Sequence, residues 1–319
     1  MKPLLVIAGA SGVIGQHFIQ HASPSYRILK LTSKTGQTNL AQNNLAQDIT
    51  LLTWNPKSAQ QKDQASLNLL AQSLNGATAV INLSGSSIAE GRLGKKHQDE
   101  ILESRLSSTA TLVEACQRSD DAPQSFFQAS AVGYYGNRGE ETLDETSLAQ
   151  TGNVLSDICV AWENAAQPIK QISRLVIGRF GLVIAKDAPA WQKLILPIKL
   201  FVGGPLGSGQ QWYPWIDADD LARAILFLIE QKTSKGVYNL SAPQPIRQKE
   251  LAKKTAHYLG RPSIIPAPTF ALRLALGGVA DALILPSAKV FPTRLEQAGF
   301  GFEFSSFETG LRKWLETTK

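Results

Sequence analysis

Cysteine is almost absent. Cys116 and Cys159 are the only two in 319 residues, too few for a disulfide framework, and no CxxC pair or Cys/His cluster has zinc-binding spacing. Long apolar runs are also missing. No uncharged stretch approaches the roughly 20 residues that span a bilayer. Charge of one sign does not accumulate: 32 Lys and Arg against 26 Asp and Glu leave +6, and the tightest basic clusters are the pairs Lys95-Lys96 and Lys253-Lys254. A nucleic-acid reader would show a basic stripe or a reading motif, so no nucleic acid and no membrane is expected as partner, and no metal site. With 43% hydrophobic and 18% charged residues the chain can bury a sizeable core, which excludes global disorder. The first apolar run, residues 4–8, is too short for a secretory signal and predicts a strand, so a soluble cytoplasmic protein is expected.

What is present is an alternation. Residues 4–8, 27–31, 49–54, 78–83, 125–129 and 173–179 each have the apolar content of a buried strand, and helical patterns lie between them. Asp63 can cap a helix carrying Leu67, Leu70 and Leu74, ended by Asn75-Gly76; Leu102, Leu106, Thr109 and Val113 have the spacing of one buried helix face. Strands alternating with crossover helices predict an α/β fold with a doubly wound parallel sheet. After Gly181 the pattern becomes rich in proline and glycine. A Rossmann domain is expected over residues 1–185, with returns to the sheet around 212–243, and a smaller C-terminal substrate-side lobe over 186–319.

Gly9-Ala10-Ser11-Gly12-Val13-Ile14-Gly15 joins the first strand to the first helix. In that place the glycines allow a tight turn, close approach of a pyrophosphate and close helix packing, and the helix N-terminus offers free N–H groups to phosphates. An NAD site usually has a carboxylate about 20 residues further on; here the first is Asp48, and the second strand ends in Thr32-Ser33-Lys34, two hydroxyls and a cation. This combination favours NADP(H) by leaving nothing to repel a 2′-phosphate.

The same loop, with Asn82-Leu83-Ser84-Gly85 and residues 129–136 (ASAVGYYG), resembles the extended short-chain dehydrogenase/reductases. More narrowly, Glu103-Ser104-Arg105, Trp162-Glu163, Gly178-Arg179-Phe180-Gly181, the glycine-rich stretch 203–209 and Trp212-Tyr213-Pro214-Trp215-Ile216 resemble their atypical epimerase family subgroup, which closes in a domain of unknown function. The resemblance implies a Rossmann core holding NADP(H). It places Leu83, Ser84 and Gly85 beside the adenine–ribose half and Ala129 and Ser130 near the nicotinamide ribose. Arg105 is counted with these cofactor candidates, although for it and for Arg179 a helix or strand ion pair is the preferred reading over a ligand-facing guanidinium. A homodimer through helices near residues 96–117 and 153–166 is the assembly that such relatives suggest.

Active members of the wider superfamily combine a serine with Y-x-x-x-K on one helix, where the lysine lowers the tyrosine pKa. Ser130 fits the serine. Aligned on Trp162-Glu163, the other two positions are Leu155 and Cys159, and the one literal match, Tyr26 to Lys30, falls in a strand. Tyr134 and Tyr135 are the candidate replacement proton donors, with Asp157 and Glu163 near the cleft rim. Asp217 stands where the subgroup commonly has histidine. Trp212 and Trp215 read either as cleft wall or as core. Two functions follow: an NADP(H)-dependent epimerase or oxidoreductase acting on a small polar substrate, with sugar derivatives the class that the resemblance implies, or a catalytically impaired NADP(H)-binding sensor or regulator, for which the resemblance offers a link to cell division.

Overall fold

A computed structural model describes residues 2–33, 48–88 and 93–316. The chain begins β1 (Leu4–Ala8), α1 (Val13–Ala22), β2 (Arg27–Thr32), β3 (Ile49–Thr53), α2 (Ser58–Gln61), α3 (Gln64–Leu74), β4 (Ala79–Asn82), α4 (Lys95–Arg118) and β5 (Ser125–Ala131). The short β6 (Thr142–Leu143) precedes α5 (Val154–Ala165), β7 (Arg174–Phe180), β8 (Leu182–Ile184) and α6 (Pro189–Lys199). Then come β9 (Trp212–Tyr213), β10 (Trp215–Asp217), α7 (Ala218–Glu230), β11 (Gly236–Leu240), β12 (Ile246–Arg247), α8 (Gln248–Leu259), α9 (Thr269–Leu276), β13 (Lys289–Val290), α10 (Thr293–Gln297) and α11 (Phe307–Glu316).

Seven strands form one parallel sheet in the order β11-β7-β5-β4-β1-β2-β3, the doubly wound arrangement that the alternation predicts. Both faces are covered, and successive residues supply opposite cores. Leu5 and Ile7 of β1 and Phe127 of β5 pack with Phe18 of α1 and Ile225 and Leu228 of α7. Val6, Ala8 and Phe126 face the other way, onto Leu70 and Leu74 of α3 and Leu112 of α4.

The predicted strands are present to within one or two residues at their ends. Asp63 caps α3, its carboxylate accepting from Ser66 N–H at 3.1 Å, and Gly76 follows with φ +66°. On α4 the predicted face holds in its second half, where Thr109 and Val113 are buried, but in the first half Leu102 and Leu106 are half-buried while their neighbours Ile101 and Arg105 take the inward places. The cause is tertiary: Ile101 packs with Leu155 and Ile158 of α5, and Arg105 lies over the Trp162 ring at 4.8 Å. Tyr26 precedes β2 and donates to Glu230 of α7 at 2.9 Å, far along the chain from any partner that the chance Tyr26 to Lys30 spacing would imply.

Residues 236–240 join the edge of the central sheet as β11, whereas 212–217 pair elsewhere, β9 with β12 and β10 with β8. A separate core gathers Trp191, Tyr213, Trp215, Phe307 and Leu311, so α6 and α11 close over β8 and β10.

Candidate functional site

The glycine loop leaves the carboxyl end of β1 with Gly9 at φ +81°, a conformation that L side chains rarely adopt. A Cβ there would lie 2.6 Å from the carbonyl carbon and oxygen of Leu83, and one on Gly15 would lie 2.7 Å from Ala10 Cα. Gly9 and Gly15 therefore hold the turn against β4 and α1. Gly12 differs. Its φ is −74°, and the nearest heavy atom to an added Cβ is Gly9 O at 3.4 Å, so the backbone tolerates a side chain and the space beside it stays open. Gly12 N–H turns back onto Gly9 O at 3.1 Å; no side chain caps α1, and no acid sits in its first turn. Ser11, Val13 and Ile14 line the same open helix start, which presents unsatisfied N–H groups and the positive end of the helix dipole.

Beside this loop, the segment after β4 carries Leu83, Ser84 and Gly85. Leu83 N–H donates to Ala8 O at 2.9 Å, which ties the two strand ends together. Arg105 from α4 lies against Gly85; a Cβ on Gly85 would stand 3.1 Å from its guanidinium carbon. The guanidinium is buried, donates from Nη1 to Ser86 O and Ile101 O at 3.0 and 3.2 Å, and pairs with no carboxylate among the described residues. Burial lowers its pKa to about 10. Thr32 and Ser33 stand at the carboxyl end of β2; Lys34 lies outside the described residues.

At the end of β5, Ala129 and Ser130 are buried. The Ser130 hydroxyl donates to Glu163 Oε1 at 2.7 Å. Arg179 of β7 grips both oxygens of that carboxylate, from Nε at 2.8 Å and from Nη2 at 2.9 Å. Its remaining nitrogen, Nη1, donates to the Tyr135 hydroxyl at 3.0 Å, which in turn donates to Asn239 Oδ1 of β11 at 2.7 Å. The Arg179 guanidinium carbon lies 3.3 Å from the centroid of the Tyr134 ring. Burial works against the charge of Arg179, but the Glu163 pair outweighs it and holds the group above the ordinary arginine value.

The two tyrosines are therefore not equivalent. Tyr135 is fully buried, its hydroxyl is engaged on both sides, and burial pushes its pKa up to about 12. Tyr134 is half-buried, and its hydroxyl has no hydrogen-bond partner among the described residues. Asp157 is exposed on α5. Among the described residues no group of three or more His, Cys, Asp or Glu side chains could hold a metal.

Residues 5–241 match the model of the NAD dependent epimerase/dehydratase family. The chain belongs to this family. Residues 267–314 match a second model, a domain of unknown function, DUF1731. An epimerase family protein of Staphylococcus aureus (strain N315) is 32% identical over 312 residues, 98% of each chain. One from Staphylococcus epidermidis (strain ATCC 35984) is 33% identical over 307 residues, 96% of this chain and 97% of the other. Among solved structures, the human epimerase family protein SDR39U1 (isoform 2) with NADPH superposes with a TM-score of 0.84 at 26% identity, covering 98% of this chain and 99% of that one. The chain is an atypical extended short-chain dehydrogenase/reductase with that C-terminal domain, as its motifs suggest.

Against the wider superfamily, the departures have physical consequences. Leu155 and Cys159, at the positions of the expected Tyr and Lys, are both buried, and burial raises the Cys159 thiol to about 11, which leaves it inert. Asp217 is a fold anchor. It caps α7 by accepting from Asp219 N–H at 2.8 Å, and holds Lys313 Nζ at 3.1 Å and Trp314 Nε1 at 2.5 Å on α11. Trp215 is core, fully buried and edge-on to Phe307. Trp212 is half-buried between Arg247, 4.3 Å from its ring, and Glu140, which accepts from its Nε1 at 3.0 Å. Sequence reasoning left Arg179 as a structural residue and Glu163 at the cleft rim; the structure couples both to Ser130. The strings Trp162-Glu163 and Gly178-Arg179 carried that signal, but only the fold shows that β7 and α5 bring them together.

Proposed function

We propose that this epimerase-family protein is an NADP(H)-dependent oxidoreductase or epimerase acting at a hydroxyl-bearing carbon of a small polar, sugar-derived substrate. The observation that carries this reading is the Ser130 hydroxyl bonded to the buried Glu163–Arg179 pair, at the same carboxyl end of the sheet as the glycine loop. The residues fit a dinucleotide. The open backbone beside Gly12 and the uncapped start of α1 suit a pyrophosphate, and the buried cation of Arg105, which pairs with no carboxylate among the described residues, suits a second anionic or polar group. Gly9, Ala10, Ser11, Gly12, Val13, Ile14 and Gly15 would hold the phosphates, Thr32, Ser33 and Lys34 the adenine-side ribose phosphate, Leu83, Ser84, Gly85 and Arg105 the adenosine half, and Ala129 the nicotinamide side. The likeness to a protein solved with NADPH supports the same choice of dinucleotide.

A bound nicotinamide supplies or accepts the hydride; the protein's own residues handle the proton. A carboxylate accepts only, so Ser130 is the donor in its bond to Glu163. Ser130 Oγ, its own proton committed to Glu163, accepts a hydrogen bond from a substrate hydroxyl and orients it, while Arg179 holds Glu163 as the carboxylate. Tyr134, the phenol with its hydroxyl still available, is the group that exchanges the substrate proton. Tyr135 holds Arg179 in place.

The test has two arms. NADPH is expected to bind at least about tenfold more tightly than NADH, a difference of about 1.4 kcal/mol. A panel of nucleotide sugars with NADP⁺ then reads turnover, which Ser130→Ala and Tyr134→Phe should each lower by about a hundredfold or more without changing the unfolding temperature. Binding of NADPH with no turnover across the panel would favour the sensor reading, which rests on Leu155 and Cys159 in place of the usual pair.

A further inference from the structure

Of the fourteen large apolar side chains exposed among the described residues, nine lie in residues 196–202 and 264–276. The two stretches are far apart in sequence but meet between residues 203–207 and 265–267. Ile265 N–H donates to Gly203 O at 3.1 Å, Ala267 N–H to Pro205 O at 2.9 Å and Gly207 N–H to Ala267 O at 2.9 Å. This short ladder places Leu200, Phe201 and Val202 next to Ile264 and Ile265, with Phe270 and Leu274 following on α9; Ile264, Phe270 and Leu274 are 79%, 73% and 78% exposed. Single exposed apolar residues need no explanation, but five brought together by one ladder, with two more on the next helix, do.

The charge in the two stretches that form the group is of one sign. No Asp or Glu occurs from residue 188 to 216 or from 251 to 280, while Lys193, Lys199, Lys253, Lys254, Arg261 and Arg273 fall within those two stretches. Asp281 pairs with Arg273, and Glu308 with Lys254. Arg261 lies over the Phe201 ring at 4.1 Å, and exposed Lys199 at the end of α6 bonds the neutral Gln192 and no carboxylate among the described residues. A second copy of this face would bring like charges together, which argues against a symmetric dimer here. Lysine is depleted in protein–protein interfaces, whereas protruding Leu, Ile and Phe with a Lys/Arg rim are the features of a surface that rests on anionic lipid headgroups. No helix among the described residues is long and apolar enough to cross a membrane.

We propose that this face of the C-terminal region docks the protein peripherally on an anionic lipid bilayer. The apolar tips enter the headgroup boundary, and Lys199 and Arg261 lie against lipid phosphates. Composition alone led to the opposite expectation, because the two stretches that form the face are unremarkable until the ladder brings them together.

Flotation of the full-length protein with vesicles tests this, comparing phosphatidylcholine alone with phosphatidylcholine mixed with phosphatidylglycerol. The protein should float with the mixed vesicles, much less with phosphatidylcholine, and release as salt is raised. Phe201→Glu and Ile264→Glu, both at exposed positions, should abolish flotation with unchanged circular dichroism; Lys199→Gln and Arg261→Gln should each weaken it about fivefold, the expected worth of one cation near an anionic surface. No flotation of the folded wild type, equal flotation on both vesicle types, or flotation indifferent to Phe201→Glu would each overturn the proposal. So would a dimer in solution that Phe201→Glu dissociates without any lipid binding, since the face would then belong to a second copy.

Discussion

Replacing Glu163 by glutamine leaves the Arg179 guanidinium in the interior with its charge uncompensated. Arg179 and Glu163 side chains are 3% and 8% exposed, so solvent cannot take over from the lost carboxylate. Breaking one member of a buried pair typically costs about 3–5 kcal/mol, and glutamine keeps one oxygen acceptor, so about 3 kcal/mol is expected. In a chain of this size that lowers the unfolding temperature by about 6 °C. The double variant Glu163→Gln/Arg179→Met removes the orphaned charge as well and should recover at least about 1.5 kcal/mol, because a buried pair replaced as a unit is often near neutral. Equilibrium urea unfolding of the wild type, both single variants and the double variant gives the cycle. A loss below about 1 kcal/mol for Glu163→Gln, or a double variant costing the sum of the singles, would refute the account of a mutually dependent pair.

Other positions give further checks. Gly9→Ala forces a left-handed backbone and a Cβ at 2.6 Å from Leu83, so it should destabilise by about 2 kcal/mol or more in urea titrations. The hydrogen bond of His17 to Asp219, opposed by burial and aided by the charges of Asp219 and Asp187, raises the His17 pKa above 6.5. Its stabilisation is therefore complete below the unfolded-state value and lost as pH rises through the folded one; His17→Gln should flatten that loss in unfolding curves taken between about pH 6 and pH 9. Asp217→Asn keeps the cap of α7 but removes the charge that faces Lys313, so α11 should become a preferred site of limited proteolysis while the central sheet stays intact.

The sheet was legible because its strands are short apolar runs separated by helices, and burial on both faces demands that composition. The cap at Asp63 and the loop from Gly9 to Gly15 were legible because backbone geometry at those points restricts the residue type. The inward face of α4 was legible at Thr109 and Val113 but not in its first turns. A buried arginine over Trp162 takes a place that periodicity assigns to leucine. The chemistry around Ser130 was half legible: the serine follows from its strand end, but its partners come from α5 and β7, brought together by crossover connections that no local pattern encodes. The two tyrosines were indistinguishable in sequence, and the short 3₁₀ turn over Val132–Tyr135 gives them opposite surroundings. The apolar face of the C-terminal region was invisible for the same reason: its halves meet only through the ladder between residues 203–207 and 265–267.

The proposed function rests on the turn at Gly9 and Gly15, which leaves the backbone beside Gly12 bare as a dinucleotide phosphate requires. Titration of NADPH into the wild type and Gly12→Ala, with an unfolding curve for each, tests it most directly. An alanine at Gly12 meets nothing closer than Gly9 O at 3.4 Å and needs no change of backbone, so stability should stay within about 0.5 kcal/mol of the wild type. NADPH affinity should fall by at least about tenfold, or about 1.4 kcal/mol. Equal affinity in the two proteins, or no NADPH binding by the folded wild type, would contradict the account.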